Sequence, residues 1–250
     1  QPGAIAHAPV AEKISDGWRL SGNIEYVING GKSGFYCVLC ASGGDQSHLN
    51  MVMIKDALDG VGFDGAYDKL GLRMTPTARM TLDNVALAPE DLIGKENHGE
   101  KQAKIVLAES WVLIAALGLG TAQGALDRSL DYVKQREQFG KKIARFQVTQ
   151  HKLAEMASQI EQIRFLSYAA AKSFDSRKPN VKLAAMAKLG ATRTAVAVAS
   201  ESVQLLGGYG YMTEYDVERF YRDAKTLELI GGNAVYLKNV IAKDVIGRIR

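Results

Sequence analysis

The chain has 250 residues, 47% apolar and 23% charged. That is an ordinary globular composition with enough apolar content for a core, so disordered, collagen-like and disulfide-scaffold classes are excluded. Lys plus Arg number 31 against 27 Asp plus Glu, a formal net charge of +4; this excess suits an anionic ligand such as a phosphate ester and is too small to argue for nucleic acid.

The chain opens at Gln1 rather than Met, so it is expected to be a piece or a processed form of a longer chain. No basic region followed by an apolar block marks a signal peptide. Residues 1–97 read as a β domain. Trp18–Gly22 follows the turn Ser15-Asp16-Gly17; then come Tyr26-Val27-Ile28, Phe35–Cys40, Leu49–Ile54 and a partly alternating Arg79–Leu87. Gly30-Gly31, Gly43-Gly44 and Asp64-Gly65 punctuate these runs, and Pro76 and Pro89 fall near strand ends. A small β-barrel or sandwich is expected. Cys37 and Cys40 form a C-x-x-C pair. Without a second Cys pair a zinc site is not expected, and in a strand residues three apart face opposite ways, so two buried-strand cysteines in a reducing compartment are the expectation.

Residues 98–250 read as helices. The first runs from about Glu100 to Gln135 with Gly118, Gly120 and Gly124 inside it; each interior glycine costs ~1 kcal/mol against Ala, so another backbone or a ligand is expected close by. Its longest apolar run, Trp111 to Leu119, falls short of the ~20 residues of a membrane span, and no span is expected. Gln147–Ser173 carries Leu153, Met156, Ile160, Ile163 and Leu166 at helical spacing, with His151 read as surface or interface. Val181–Leu206 is Ala-rich and ends at Gly207-Gly208. A fourth helix starts near Val217 and carries an irregular patch at Gly231-Gly232-Asn233. The expectation is an α+β chain, a β-barrel or sandwich followed by an up-and-down four-helix bundle.

Three linked stretches of the helical half carry a resemblance. They are Tyr132-Val133-Lys134-Gln135-Arg136-Glu137-Gln138-Phe139-Gly140-Lys141-Lys142-Ile143 with Phe146-Gln147, Val203–Tyr211 around Gly207-Gly208, and Val217–Lys225 with Arg222-Asp223-Ala224. In the β half, Gly71–Thr77, Asp83-Asn84-Val85 and Leu92-Ile93-Gly94 follow in the same order. Together they resemble the acyl-CoA dehydrogenase family over essentially the whole chain, as a shortened, divergent member lacking most of the N-terminal helical domain. The resemblance implies FAD, an acyl-CoA substrate, a homo-oligomer or a heteromer with a related subunit, electron-transferring flavoprotein as the usual partner, and a cytoplasmic or mitochondrial-matrix setting. It implies cofactor contacts from Arg136, Gln138, Phe139, Gln147, Gln204, Gly207, Gly208 and Asn233, reaching the FAD of a neighbouring subunit. The chemistry agrees: a guanidinium fork suits a pyrophosphate, an aromatic face suits adenine or ribose, amides donate and accept, and glycines admit a close phosphate. Tyr209 and Tyr211 are read as facing cofactor or core.

The departures concern catalysis. In the family a carboxylate removes the acyl α-proton while hydride leaves the β-carbon, and a weakly acidic proton needs a positioned base. The commonest base position is Gly231 here. In the isovaleryl and long-chain branch the base precedes an Arg on the first bundle helix; those two positions are Ser110-Trp111. Glu109 is one residue early, ~100° around the helix, and is the remaining candidate base in this chain. The flavin-covering segment reads Tyr26-Val27-Ile28-Asn29, where Ile28 has no hydroxyl, and the flavin-contacting loop reads Gln1-Pro2-Gly3-Ala4 followed by Ile5-Ala6-His7. Arg222-Asp223 is expected as a structural ion pair, and Trp111 as a packing or pocket-blocking residue. Three functions stay open: an active dehydrogenase subunit, a non-catalytic subunit of a heteromeric dehydrogenase, and a flavin-free interaction module.

Overall fold

The computed structural model describes residues 8–247. The opening loop through His7 lies outside the described residues. The chain divides into two compact units: Gln1–Lys69 with Arg73–Val106, and Leu70–Leu72 with Leu107–Arg250.

The first unit is built on six strands: β1 (Val10–Ile14), β2 (Gly17–Ile28), β3 (Phe35–Ser42), β4 (Asp45–Lys55), β5 (Val61–Phe63) and β6 (Thr77–Leu87). They form one sheet in the order β4-β3-β1-β2-β6-β5, with β4 and β5 at its ends, where a barrel or sandwich was expected. Only the β1–β3 pairing is parallel. The β1–β2 turn needs its glycine: Gly17 has φ +143°, and a Cβ there would lie 2.0 Å from the Leu87 carbonyl oxygen. Ala78, Met80 and Leu82 of β6 alternate into the core; Val85 and Leu87 resume after Asn84, which has φ +50° at a register shift opposite Leu20–Gly22. That bulge is why the sequence alternates only in part. The core gathers Leu20, Ile54, Met80 and Val85 with Trp18 and Val38. Cys37 is exposed and Cys40 buried on β3, where desolvation pushes the Cys40 thiol up to about 12.

Among the described residues five helices follow: α1 (Gly99–Gln135), α2 (Gln147–Asp175), α3 (Val181–Leu206), α4 (Val217–Leu227) and α5 (Ala234–Ile246). The expected fourth helix is therefore two. Gly231 and Gly232 take φ +65° and +102°, which ends helical geometry, and the Asn233 side chain then caps α5 by accepting the Tyr236 N–H at 3.0 Å. α3 packs against α2, α4 and α5. Its small buried row, Ala184, Ala187, Ala191 and Ala195, lets neighbouring backbones come close. A Cβ on Gly118 would stand 3.0 Å from the Ala191 carbonyl, and one on Gly124 2.7 Å from the Phe220 ring, while Gly120 faces open space. Those glycines also do not interrupt α1, and by length and composition alone the helix is long and apolar enough to cross a membrane. Its Trp111, Ala115, Ala122 and Leu126 are nevertheless packed in the helical core.

The Arg222-Asp223 pair does not form. Arg222 bonds the Glu218 carboxylate at 3.2 Å and the Leu70 carbonyl at 3.0 Å, and Asp223 accepts the Leu72 N–H at 2.6 Å. Adjacent helical residues diverge by ~100°, so each meets a different neighbour. His151 is exposed on α2.

Candidate functional site

Within the helical unit a cleft of about 480 Å³ is lined by residues from two stretches far apart in sequence, Tyr132–Ile143 and Gln204–Met212. Arg136 and Gln138 enter from the chain after α1, Gln204 from the last turn of α3, and Gly207, Gly208 and Tyr209 from the 3-10 turn that follows. Five of the expected cofactor residues are thus brought to one place. Glu137–Gln138 (β7) and Lys141–Lys142 (β8) form a two-stranded hairpin, in register Glu137↔Lys142 and Gln138↔Lys141. Its turn is Phe139-Gly140, both at positive φ (+54° and +75°). Two-residue hairpins demand this geometry, and they favour Asn-Gly for it; a phenylalanine there is strained. The Phe139 ring gains little for that strain, being 92% exposed with an edge contact to Phe146 at 6.3 Å.

The guanidinium of Arg136 lies over the Tyr209 ring at 5.5 Å, and Tyr132, Tyr209 and Tyr215 form an aromatic cluster with centroids 5.1–6.4 Å apart. Stacking holds the planar cation without consuming its N–H fork. Burial lifts the Tyr132 phenol above its ordinary value, and Arg136 opposes the shift. Gly207 has φ +59° and ψ −136°, a conformation open essentially to glycine alone, and neither it nor Gly208 has an atom within 4 Å of where a Cβ would stand. The donor set suits a pyrophosphate with its sugar and base: one bidentate cation, two carboxamides, an aromatic platform and a side-chain-free approach.

Other expected residues stand elsewhere. Gln147 opens α2 on the surface, Asn233 is committed to capping α5, and Tyr211 is 83% exposed. Tyr132 and Ile143, the ends of the first linked stretch, and Met212, just beyond the second, also line the cleft, though none of them is among the expected cofactor contacts.

The second locus holds the two positions where the family resemblance places the base. Gly231 and Ser110 are side by side: a Cβ on Gly231 would stand 3.6 Å from the Ser110 hydroxyl and 2.7 Å from the Ile114 terminal methyl. The Ser110 hydroxyl donates to the Leu107 carbonyl at 2.7 Å. Trp111 is buried, packs edge-on against Tyr236 at 6.0 Å and donates its indole N–H to the Gly231 carbonyl at 2.6 Å. Glu109 is exposed on the next position of α1. The fully buried Lys188 donates to the carbonyls of Ile230 and Gly232. Burial pushes its pKa down to about 8.

In the β unit, Tyr26 is 71% exposed at φ +59° and packs on Tyr67 at 5.1 Å. Ile28 is half-exposed, and the Asn29 carbonyl accepts the Tyr36 hydroxyl at 2.9 Å.

Residues 97–246 match the family described as acyl-CoA dehydrogenase, C-terminal domain. The chain is similar to the probable acyl-CoA dehydrogenase YngJ of Bacillus subtilis, 37% identical over 238 residues, covering 91% of this chain and 63% of that protein. Among solved structures it superposes on butyryl-CoA dehydrogenase of Megasphaera elsdenii with a TM-score of 0.95 at 33% identity, covering 99% of this chain and 66% of that one. A chain from a structure of the electron transferring flavoprotein of Acidaminococcus fermentans gives the same TM-score, 0.95, at 32% identity, covering 99% and 67%. The chain thus spans about 55–63% of the length of the curated relatives it matches. A sheet followed by five helices, the Arg136–Gly208 cleft and a match across both halves of the sequence leave one assignment: this chain belongs to the acyl-CoA dehydrogenase family.

Proposed function

We propose that this chain is a subunit of an FAD-dependent acyl-CoA dehydrogenase and that its own part is to hold FAD across a subunit interface. The observation that carries this is the convergence of Arg136, Gln138, Gln204, Gly207 and Gly208 on one cleft. Arg136 would clamp the pyrophosphate through two N–H bonds, with Tyr209 keeping its plane fixed. Gln138 and Gln204 would read sugar or base edges, and the Gly207-Gly208 backbone would lie against the phosphates. Phe139, displayed at the hairpin tip, would stack on adenine or ribose. Bound flavin supplies the hydride acceptor in the family reaction, the α,β-oxidation of an acyl-CoA thioester. The relatives named above support an acyl-CoA substrate and, as a candidate partner, electron-transferring flavoprotein.

The natively purified complex, with every subunit identified by mass, should show a flavin absorption spectrum. Arg136→Ala should weaken FAD binding by about 10–100-fold, the loss of one charge-assisted bidentate contact, with little change in stability. A complex holding no flavin, or an Arg136→Ala variant that retains it fully, would reject the reading.

A second reading has its own support. Gly231 and Ser110 face each other and neither bears a carboxylate. On that observation the chain is a non-catalytic member of a heteromer, completing a partner's flavin site. Flavin bleached by acyl-CoA only when a related subunit is present favours this reading; bleaching by this chain alone removes it.

A further inference from the structure

Lys188 sits on the buried row of α3 between Ala187 and Ala191, and no part of it reaches solvent. An ammonium in such a place is costly unless its protons are taken up. Among the described residues it forms no ion pair; it donates to the Ile230 and Gly232 carbonyls instead. The carbonyl between them, on Gly231, accepts the Trp111 indole N–H at 2.6 Å. Three successive carbonyls of one turn are thus held by donors from two helices, α3 and α1. The turn has little to hold itself, since Gly231 and Gly232 are both at positive φ and carry no side chains to pack. What the clamp fixes is the approach of the turn to α1, with Gly231 set against Ser110, Trp111 and Ile114.

We infer that Lys188, together with Trp111, is the positioning residue that holds the Ile230–Gly232 turn against the Ser110 face of α1 and so sets one wall of the acyl-thioester pocket. This rests on the acyl-CoA dehydrogenase reading above. The interaction is specific to the turn. Gln204, which lines the FAD cleft, is sixteen residues further along α3, about 24 Å at the helical rise. FAD binding and acyl-CoA binding are therefore separable readouts.

The test uses the native complex carrying Lys188→Met, which keeps an unbranched apolar stem but donates nothing. Trp111→Phe, which removes the single indole bond, provides a milder second variant. Three quantities are measured: amide hydrogen exchange across the turn at residues 229–237, where the Leu229, Ile230, Tyr236 and Leu237 amides are hydrogen-bonded, FAD content, and the acyl-CoA concentration that half-saturates the flavin spectral change. Lys188→Met should speed exchange in the turn at least tenfold and raise the half-saturating acyl-CoA concentration at least tenfold, with FAD content unchanged. Trp111→Phe should shift both in the same direction by less, and it decides the matter if Lys188→Met does not fold. Unaltered exchange at the turn overturns the inference, as does faster exchange with acyl-CoA binding unchanged. If the unmodified complex holds flavin that never responds to acyl-CoA, the functional reading fails instead. The exchange measurement then decides by itself whether Lys188 positions the turn.

Discussion

A buried lysine without a carboxylate makes stability depend on pH in an unusual direction. Burial lowers the Lys188 pKa from the ordinary lysine value of 10.5 to about 8. Below pH 8 the folded and unfolded chains both carry the proton, and the cost of burying the charge is present in full. Between 8 and the unfolded value the folded chain gives up its proton first, so the unfolded state binds more protons and stability rises with pH. At 1.36 kcal/mol per unit the rise is about 3 kcal/mol. Urea denaturation at pH 7.5 and pH 10 should show it in the parent protein and should show it flattened in Lys188→Met; equal slopes would mean that the carbonyl bonds keep the ammonium protonated throughout. This residue was illegible in the sequence, where it is one lysine in an Ala-rich helix with its acceptors more than forty positions away. Arg136, Gln138, Gln204, Gly207 and Gly208 were legible because their chemistry and their order both mark them, and they share one cleft. Asn233, an amide beside two glycines, reads equally as a ligand contact and as the helix cap it forms here.

At the scale of elements, the glycines of α1 separate close packing from open surface. Gly118→Ala pushes a methyl to 3.0 Å from the Ala191 backbone, which neither helix can relieve without moving, so a loss of about 1–3 kcal/mol is expected. Gly120→Ala meets open space in the same helix and should gain about 0.5–1 kcal/mol from helix propensity alone. Opposite signs from one substitution two residues apart are the expected result of a denaturant titration. Loss at both sites would mean that Gly120 also packs against a backbone. The long helices were readable because period 3.6 persists over many turns, and α3 runs Val181–Leu206 as the sequence implied. The short strands were not. β5 has three residues, and β1 exposes most of its side chains, so neither carries a two-residue period. The β7–β8 hairpin escaped notice because its turn is Phe-Gly where Asn-Gly is the usual signal.

For the molecule as a whole, on the dehydrogenase reading proposed above, the question is whether this chain's Ser110–Gly231 locus can serve an acyl site once it is given a carboxylate. Glu109 is exposed one position from Ser110, and a helix cannot turn it inward without a break that α1 does not show. Glu109→Gln should therefore leave any acyl-CoA-dependent bleaching unchanged. Restoring a carboxylate is the sharper experiment, and the two candidate positions differ in what they permit. Gly231→Glu requires a side chain at φ +65° with its Cβ 2.7 Å from the Ile114 methyl, a left-handed conformation costing roughly 1–2 kcal/mol before any contact is made. Ser110→Glu needs no such change, because Ser110 is half-buried within regular helix and its hydroxyl serves only a local bond to Leu107. A positioned general base contributes on the order of 10²–10⁴ in rate. If the pocket is otherwise intact, Ser110→Glu should therefore bleach flavin with acyl-CoA at least a hundredfold faster than the parent chain in the same assembly. A rate that does not change, in a variant that keeps its flavin, would mean that more than a base is lacking at this locus and would leave this chain as one that completes its neighbour's FAD site.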